Sequence, residues 1–224
     1  MVNRDEEKDL LRRIDYYIEG LFASPDAVLE GALLRARRAG MPEIHVSPNE
    51  GKLLQLLAEI VGAKRILEVG TLGGYSTIHL ARALPKGGSL VTLELDERYA
   101  DIARENIAVA SLEDRVEVRV GDARKLLASM VESGEGHFDL TFIDADKGSY
   151  PEYLERAVRL SRSGSLILAD NTIRGGSVIE PEDELARTTQ KFNETLANDS
   201  RLSTLILPLI RESVDGLAIA RVLD

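Results

Sequence analysis

The stretch LEVGTLGGYS, residues 67–76, joins a short apolar run to a turn that contains three glycines. Gly70, Gly73 and Gly74 let a ligand approach the backbone and let the next helix begin close to the preceding strand. A dinucleotide-binding turn has the spacing G-x-G-x-x-G and places a pyrophosphate on the helix N-terminus. Here the spacing is G-x-x-G-G, and the carboxylate of Glu68 would repel a pyrophosphate. The turn therefore favours a cationic or amino-bearing ligand over a dinucleotide.

On both sides of this turn, the pattern predicts where helices and strands lie. From Arg65 onward, short apolar runs alternate with helical stretches, which predicts parallel strands with right-handed crossovers. Two final apolar runs joined by a polar link predict an antiparallel pair at the sheet edge. Residues 1–62 read as a helical extension, with Ser24 and Ser47 as predicted helix N-caps. We predict one α/β domain over residues 1–224, with its Rossmann-like core at 63–224.

Polar residues that end the strands are expected at one edge of the sheet, where doubly wound sheets bind ligands. Glu94 ends the second strand, where an acid can accept hydrogen bonds from ribose hydroxyls. Asp122 and Ala123 follow the third strand and could border an adenine, although Asp122 alone is explained as a helix N-cap. S-adenosylmethionine has a sulfonium and an ammonium group and no phosphate. It therefore agrees with these strand ends and with Glu68.

The fourth and fifth strands end in FIDADKGSY and ILADNT, which place several oxygen donors at the same edge. Asp144, Asp170 and Asn171 predict a site for a hard divalent cation, Mg²⁺ or alternatively Mn²⁺ or Ca²⁺. Helix and turn capping is the competing explanation for the same residues. Lys147, next to such a cation, could accept a phenolic proton.

Composition limits the other function classes. The chain has 224 residues, a formal net charge of −10 and no cysteine. The charge disfavours a general nucleic-acid or membrane binder, and the lack of cysteine excludes thiolate chemistry. No run reaches the length of a membrane span and no signal core is visible, so we expect a cytoplasmic protein. The basic cluster Arg35, Arg37 and Arg38 is most simply a solvated helix end.

With these motifs the sequence resembles the cation-dependent O-methyltransferases that use S-adenosylmethionine, the caffeoyl-CoA and catechol types and their bacterial relatives. EVGTLGGYS, FIDADKGSYPEY and ADNTIRGGSV are the most specific elements, and the resemblance runs from about Met41 to the C-terminus. It implies a class I methyltransferase fold with a seven-stranded sheet, helices on both faces and an antiparallel edge pair. It also implies a homodimer and transfer of a methyl group to a catechol-type acceptor.

The resemblance also implies a role for each matching residue. Lys147 would be catalytic, and the metal ligands would be Asp144, Asp170 and Asn171. The amino-acid end of the cofactor would be contacted by Glu68, Gly70, Thr71 and Ser76. Its ribose would be held by Glu94, and its adenine would be bordered by Ala123 with Asp122. Val46 and Asp146 would make further cofactor contacts.

Two segments depart from the family pattern. Arg174 occupies a position where plant members usually have tryptophan, so it either suits an acidic substrate or is solvated. The link before the last strand reads PLIRESVDG in place of PVGDG, and we expect this change to leave the metal and cofactor positions untouched.

Three alternatives to an O-methyltransferase with a catechol-type acceptor stay open. A methyltransferase acting on a hydroxylated tRNA base, a hydroxyuridine O-methyltransferase, is disfavoured by the net charge. A NAD-dependent dehydrogenase is disfavoured by the glycine spacing. A nucleoside-binding module without catalysis would not need the cluster of Asp144, Asp170 and Asn171.

Overall fold

A computed structural model of the chain describes residues 4–210 and 214–224. Its centre is a seven-stranded sheet in the order β3-β2-β1-β4-β5-β7-β6. The strands are β1 Arg65–Val69, β2 Ser89–Glu94, β3 Val116–Val120, β4 Phe138–Ile143, β5 Ser161–Ala169, β6 Leu202–Ile210 and β7 Val214–Val222. β1 to β5 pair in parallel, whereas β7 pairs antiparallel with both β5 and β6. The predicted mixed sheet with its antiparallel edge pair is confirmed.

Helices connect the strands and cover the two faces of the sheet. They are α1 Arg4–Ile18, α2 Ala27–Arg38, α3 Pro48–Val61, α4 Tyr75–Arg82, α5 Glu97–Val109, α6 Ala123–Glu132, α7 Tyr150–Arg159 and α8 Glu184–Asn198. A π-helical turn, Glu19–Ala23, follows α1, and 3-10 turns lie at Lys147–Ser149 and Arg174–Gly176. None of the helices within 4–210 and 214–224 combines the length and apolar character that crossing a bilayer requires.

Two apolar clusters fill the space between sheet and helices. One lies under α6, α7 and α8 and includes Leu127, Tyr150 and Phe192. The other lies under α2 to α5 and joins Leu54 of α3 to Phe142 of β4. Burial on both faces explains why the central strands read as continuous apolar runs rather than as alternating ones.

The helix starts were predicted with mixed success. Ser47 caps α3 by accepting from the Glu50 N–H at 3.3 Å, as predicted. The prediction that Ser24 caps the next helix is wrong, because Asp26 accepts from the N–H groups of Val28 and Leu29 at that position. The Ser24 hydroxyl instead donates back to carbonyls of the π-helical turn. Asp26, a carboxylate at the positive end of a helix, is at least as good a cap as serine.

Candidate active site

A cavity of about 690 Å³ opens at the carboxyl ends of β1, β2, β3 and β4. Its volume is in the range of small-molecule and cofactor sites. The predicted site residues that line it are Val46, Gly70, Thr71, Ser76, Glu94, Asp122, Ala123, Asp144, Asp146, Lys147 and Asn171. Glu68 and Asp170 lie behind its wall. The strand ends that the sequence placed at one edge therefore do share one concave site.

The glycine turn forms the floor of the cavity where β1 and β4 come together. Gly70 has φ +100°, and a Cβ on it would meet the carbonyl oxygen of Asp144 at 2.0 Å. Gly74, with φ +79°, precedes α4 directly. Only glycine fits at Gly70, because both the backbone conformation and the close approach exclude a side chain.

Gly70→Ala is expected to destabilise the fold by at least about 3 kcal/mol, from strain at positive φ and from overpacking. Chemical denaturation measures this change. Gly87→Ala is a matched control, because Gly87 has φ +81° but no atom lies within 4 Å of the place where its Cβ would be. If the two variants lose equal stability, the close approach to Asp144 contributes nothing.

Glu94 ties the end of β2 to the glycine turn. Its Oε2 accepts from the backbone N–H groups of Leu72 at 2.8 Å and Thr71 at 3.3 Å, and its Oε1 accepts from that of Asp96 at 3.0 Å. The carboxylate is nearly buried yet reaches the cavity wall. These bonds fix its position, and its remaining lone pairs can accept from ligand hydroxyls.

Glu68 lies behind the wall of the cavity rather than on it. Its side chain is completely buried, and its carboxylate accepts from the hydroxyls of Ser76 at 2.7 Å, Thr92 at 2.6 Å and Thr77. Ser76 itself lines the cavity. Glu68 therefore reaches the wall through hydroxyl groups, and the contact with a cofactor stays a prediction. Burial raises the pKa of Glu68 to about 7, and the charge of Asp144 adds to the effect.

Glu68→Gln is expected to change how stability depends on pH. The folded chain holds the Glu68 proton more tightly than the unfolded chain, in which the pKa of this carboxyl has its ordinary value near 4.5. The group thus contributes stability below pH 4.5, and that contribution is lost as pH rises through about 7. The difference in unfolding free energy between wild type and Glu68→Gln should change by about 3 kcal/mol across this range. A difference that is constant from pH 4 to 8, measured by urea denaturation, would show that the carboxyl does not titrate there.

The adenine end of the predicted cofactor site is built from the start of α6 and the segment after β4. Asp122 caps α6 by accepting from the Arg124 N–H, which confirms the helix-cap explanation. It also lines the cavity, and its contact with an adenine stays a prediction. Asp146 accepts from the hydroxyl of Tyr153 at 2.5 Å, which holds the aspartate on the wall. Val46, just before α3, supplies a buried apolar contact on the other side.

Asp144, Asp170 and Asn171 meet where β4 and β5 end. Asp170 is 2% exposed, and burial together with the charge of Asp144 raises its pKa to about 7. Two carboxylates so close together, one of them buried, are stabilised by a cation. The part of the chain that the structure describes has no cluster of three or more His, Cys, Asp or Glu side chains suited to a metal ion. The set predicted from the sequence consists of two carboxylates and the Asn171 amide. This all-oxygen set fits a hard divalent cation that also keeps water or substrate ligands.

Lys147 lies beside this set on the wall of the cavity. Its Nζ donates to Asp144 Oδ1 at 2.9 Å and to the hydroxyl of Tyr150 at 2.6 Å. Tyr150 is fully buried, and its hydroxyl lies 3.1 Å from the Asp170 carbonyl and 3.2 Å from the Ile143 carbonyl, to which it can donate. The lysine side chain is only 10% exposed, so its amine is held at a defined point rather than left in solvent.

Several residues that the sequence analysis did not select also belong to the site. Tyr150 and Tyr153 hold Lys147 and Asp146, and His45 lines the cavity. Asp215, in the PLIRESVDG link, also reaches the site, because it accepts from the Asn171 amide at 3.1 Å. This aspartate is the one that the link shares with PVGDG, so the expectation that the departure leaves the metal and cofactor positions untouched stays a prediction. The tyrosines follow from FIDADKGSYPEY at helical spacing, but no spacing connects Asp215 to a residue 44 positions earlier.

The strand order and the position of the cavity define a class I methyltransferase fold. A sequence model described as O-methyltransferase matches residues 26–223. The chain is 46% identical over 214 residues to a catechol O-methyltransferase of Niastella koreensis, covering 94% of this chain and 97% of that one. The chain belongs to the O-methyltransferase family.

Solved structures agree with this assignment. An O-methyltransferase from Bacillus cereus in complex with SAH has a TM-score of 0.92 and 44% identity, covering 96% of this chain and 99% of that one. The O-methyltransferase TomG from Streptomyces achromogenes, in complex with SAM, has a TM-score of 0.92 and 37% identity, covering 97% and 99%. The fold and reaction class predicted from the motifs are thus confirmed.

Proposed function

We propose that this enzyme transfers a methyl group from S-adenosylmethionine to one oxygen of a catechol-type acceptor, with the help of a divalent cation. The observation that carries the proposal is the meeting of two acids, an amide and a lysine beside a cofactor-sized cavity, with Asp144, Lys147 and Asn171 on its wall. The relatives named for catechol methylation and the SAM and SAH complexes support it.

The walls of the cavity suit the proposed cofactor. The Gly70 turn leaves room for its amino-acid end, and Ser76 and Thr71 offer hydroxyls there. Glu94, held by the glycine turn, would accept from the ribose hydroxyls, and we assign the adenine to the part of the wall that Asp122 and Ala123 form. The sulfonium methyl group would then lie near Lys147, since Asp144, Asp146 and Lys147 line the same cavity as the glycine turn.

The proposed cation would be held by Asp144, Asp170 and Asn171. When bound, it would gather two adjacent acceptor oxygens and lower the cost of ionising one of them, as hard divalent cations do. Lys147 Nζ takes the proton of the reacting hydroxyl. The acceptor oxygen then forms its bond to the methyl carbon while the carbon–sulfur electrons return to sulfur. Burial of the site excludes water and aligns the partners.

The tRNA alternative finds little support among the described residues. Of the cluster that suggested it, Arg37 pairs with Glu43 at 2.9 Å and Arg35 donates to the Asn106 side chain. A homodimer stays a proposal, and the exposed apolar side chains of α1 and the following turn, such as Ile14, Leu21 and Phe22, agree with it.

The acceptor class is tested by matched compounds that differ by one hydroxyl. With methyl-labelled S-adenosylmethionine, 3,4-dihydroxybenzoate should be methylated, whereas 3-hydroxybenzoate and 4-hydroxybenzoate should react at least about 100-fold more slowly, because they lack the second oxygen that positions the first. Equal rates for all three would contradict a catechol-type acceptor. Salt-sensitive methylation of tRNA in place of all three would favour the tRNA alternative.

A further inference from the structure

We propose that Asp215 is a positioning residue that orients the Asn171 carboxamide so that its Oδ1 faces the divalent cation. The inference rests on the cation role proposed above. It adds a residue from β7, one strand of the antiparallel edge pair, to the proposed cation site. The sequence placed that site at the ends of β4 and β5 alone.

The hydrogen bonds of Asn171 fix which end of the amide faces which way. Its Nδ2 lies 3.2 Å from Asp170 Oδ2 and 3.1 Å from Asp215 Oδ2. Carboxylate oxygens only accept, and an amide nitrogen has two hydrogens to donate, so both are used here. Rotating the amide would place its oxygen against two carboxylate oxygens. Its Oδ1 accepts no hydrogen bond from residues 4–210 or 214–224, and Asn171 lines the cavity.

Asp215 is itself held rigidly. Its Oδ1 accepts from the backbone N–H groups of Ile173 at 3.1 Å, Arg174 at 2.9 Å and Gly216 at 2.8 Å. These three bonds use one oxygen and aim the other at Asn171. Asp215 is not part of the cavity wall. It therefore acts through Asn171 rather than as a ligand.

The fold brings the two segments together by a close backbone approach. Thr172 donates from its N–H and its hydroxyl to the Gly216 carbonyl, at 3.0 and 2.8 Å. A Cβ on Gly216 would meet Thr172 Oγ1 and Ile173 Cγ1 at 2.7 Å. Asn171 also has φ +58°, a conformation that asparagine tolerates better than most residues. The backbone conformation and the side-chain orientation of Asn171 are thus both fixed by the fold without a ligand.

A second carboxylate is needed because Asp170 is itself a proposed ligand. If Asp170 held the cation, its hydrogen bond to the Asn171 amide would weaken, and Asp215 would keep Nδ2 directed away. Residues that orient metal ligands in this way typically raise metal affinity about 10- to 100-fold.

Asp215→Asn tests this with a nearly isosteric change. The asparagine carbonyl can still accept the three backbone N–H groups, so the loop should remain folded. Its amide nitrogen then faces Asn171 Nδ2, and two donors cannot form a hydrogen bond with each other. Asn171 must therefore rotate, which turns its Nδ2 toward the cation. Mn²⁺ alone is the probe, with affinity measured by calorimetry on the full chain. We expect affinity to fall about 10- to 100-fold, with the thermal unfolding midpoint and SAH affinity little changed.

A double-variant cycle separates orientation from loss of charge. In an Asn171→Asp background, either side-chain oxygen can face the cation. Adding Asp215→Asn to that background should therefore lower Mn²⁺ affinity less than about threefold. A purely Coulombic effect would lower the affinity equally in both backgrounds. Asp183→Asn, at the exposed N-cap of α8, removes the same charge from a residue that does not line the cavity and should leave Mn²⁺ affinity unchanged.

The outcomes are distinct. Unchanged affinity in Asp215→Asn, or an equal loss in both backgrounds, overturns the positioning role while leaving the cation in place. If the unmodified chain binds no Mn²⁺, the proposed cation itself fails, and the role of Asp215 with it. Should Asp215→Asn not fold, a crystal structure of the unmodified chain with Mn²⁺ decides: Asn171 Oδ1 on the ion supports the role, and its absence from the ion overturns it.

Discussion

Asp170→Ala is expected to lower methyl transfer at least about 10³-fold, because it removes a buried ligand of a cation that supplies several kcal/mol of charge stabilisation. Asp170 is 2% exposed and lies beside Asp144, whose charge helps to raise its pKa. Without this carboxylate, Asp144 would be left to pair with Lys147, as it already does at 2.9 Å. The variant should therefore bind Mn²⁺ weakly, and added Mg²⁺ should not restore its rate.

The cofactor end should be largely independent of this change. SAH affinity of Asp170→Ala is expected to stay within about threefold of wild type, since Asp170 does not line the cavity and its hydrogen bonds within 4–210 and 214–224 go to none of the residues predicted to contact the cofactor. Asp183→Ala, at the N-cap of α8, serves as the folding and charge control. An Asp170→Ala enzyme that keeps full activity in excess chelator would refute the metal role of this residue.

Lys147→Met is expected to lower kcat about 10²- to 10⁴-fold, the usual contribution of a positioned general base. Methionine keeps the length and apolar stem of the side chain but cannot take a proton. SAH affinity and Mn²⁺ affinity should change much less than kcat. The deficit should shrink at alkaline pH, because the acceptor hydroxyl then ionises without help.

Two controls separate the amine from its surroundings. Tyr150→Phe removes the hydroxyl that accepts from Lys147 at 2.6 Å but keeps the amine, so its rate should fall far less than that of Lys147→Met. Lys191→Met removes an exposed lysine from α8 and should be neutral. If Lys147→Met retains a rate within about tenfold of wild type, a loss far below the usual general-base effect, Lys147 is not the base.

Local patterns predicted the sheet and most of the residues that share the cavity. Alternation from Arg65 onward predicts parallel strands, and parallel strands must place their carboxyl ends together. This geometry alone brings Glu94, Asp144 and Asn171 to one cavity. The glycine spacing around Gly70 was informative because the positive φ of Gly70 and its close approach to Asp144 exclude every residue type except glycine.

Features that depend on contacts between distant segments could not be predicted in the same way. Asp215 reaches Asn171 only because β7 enters the sheet antiparallel beside β5, and nothing near Asp215 in the sequence records that pairing. The role of Glu68 was inferred from its position before the turn, but burial directed its carboxylate to the hydroxyls of Ser76, Thr77 and Thr92. The choice of Asp26 over Ser24 as a cap depends on a π-helical turn that sequence periodicity does not reveal.

The central claim is tested most directly by methyl transfer from S-adenosylmethionine to 3,4-dihydroxybenzoate and to caffeate. The transfer is measured in excess chelator and again after Mg²⁺ is restored. The arrangement of Asp144, Asp170, Asn171 and Lys147 predicts that activity disappears in chelator and returns with Mg²⁺. Undiminished methylation of both acceptors in chelator would contradict it.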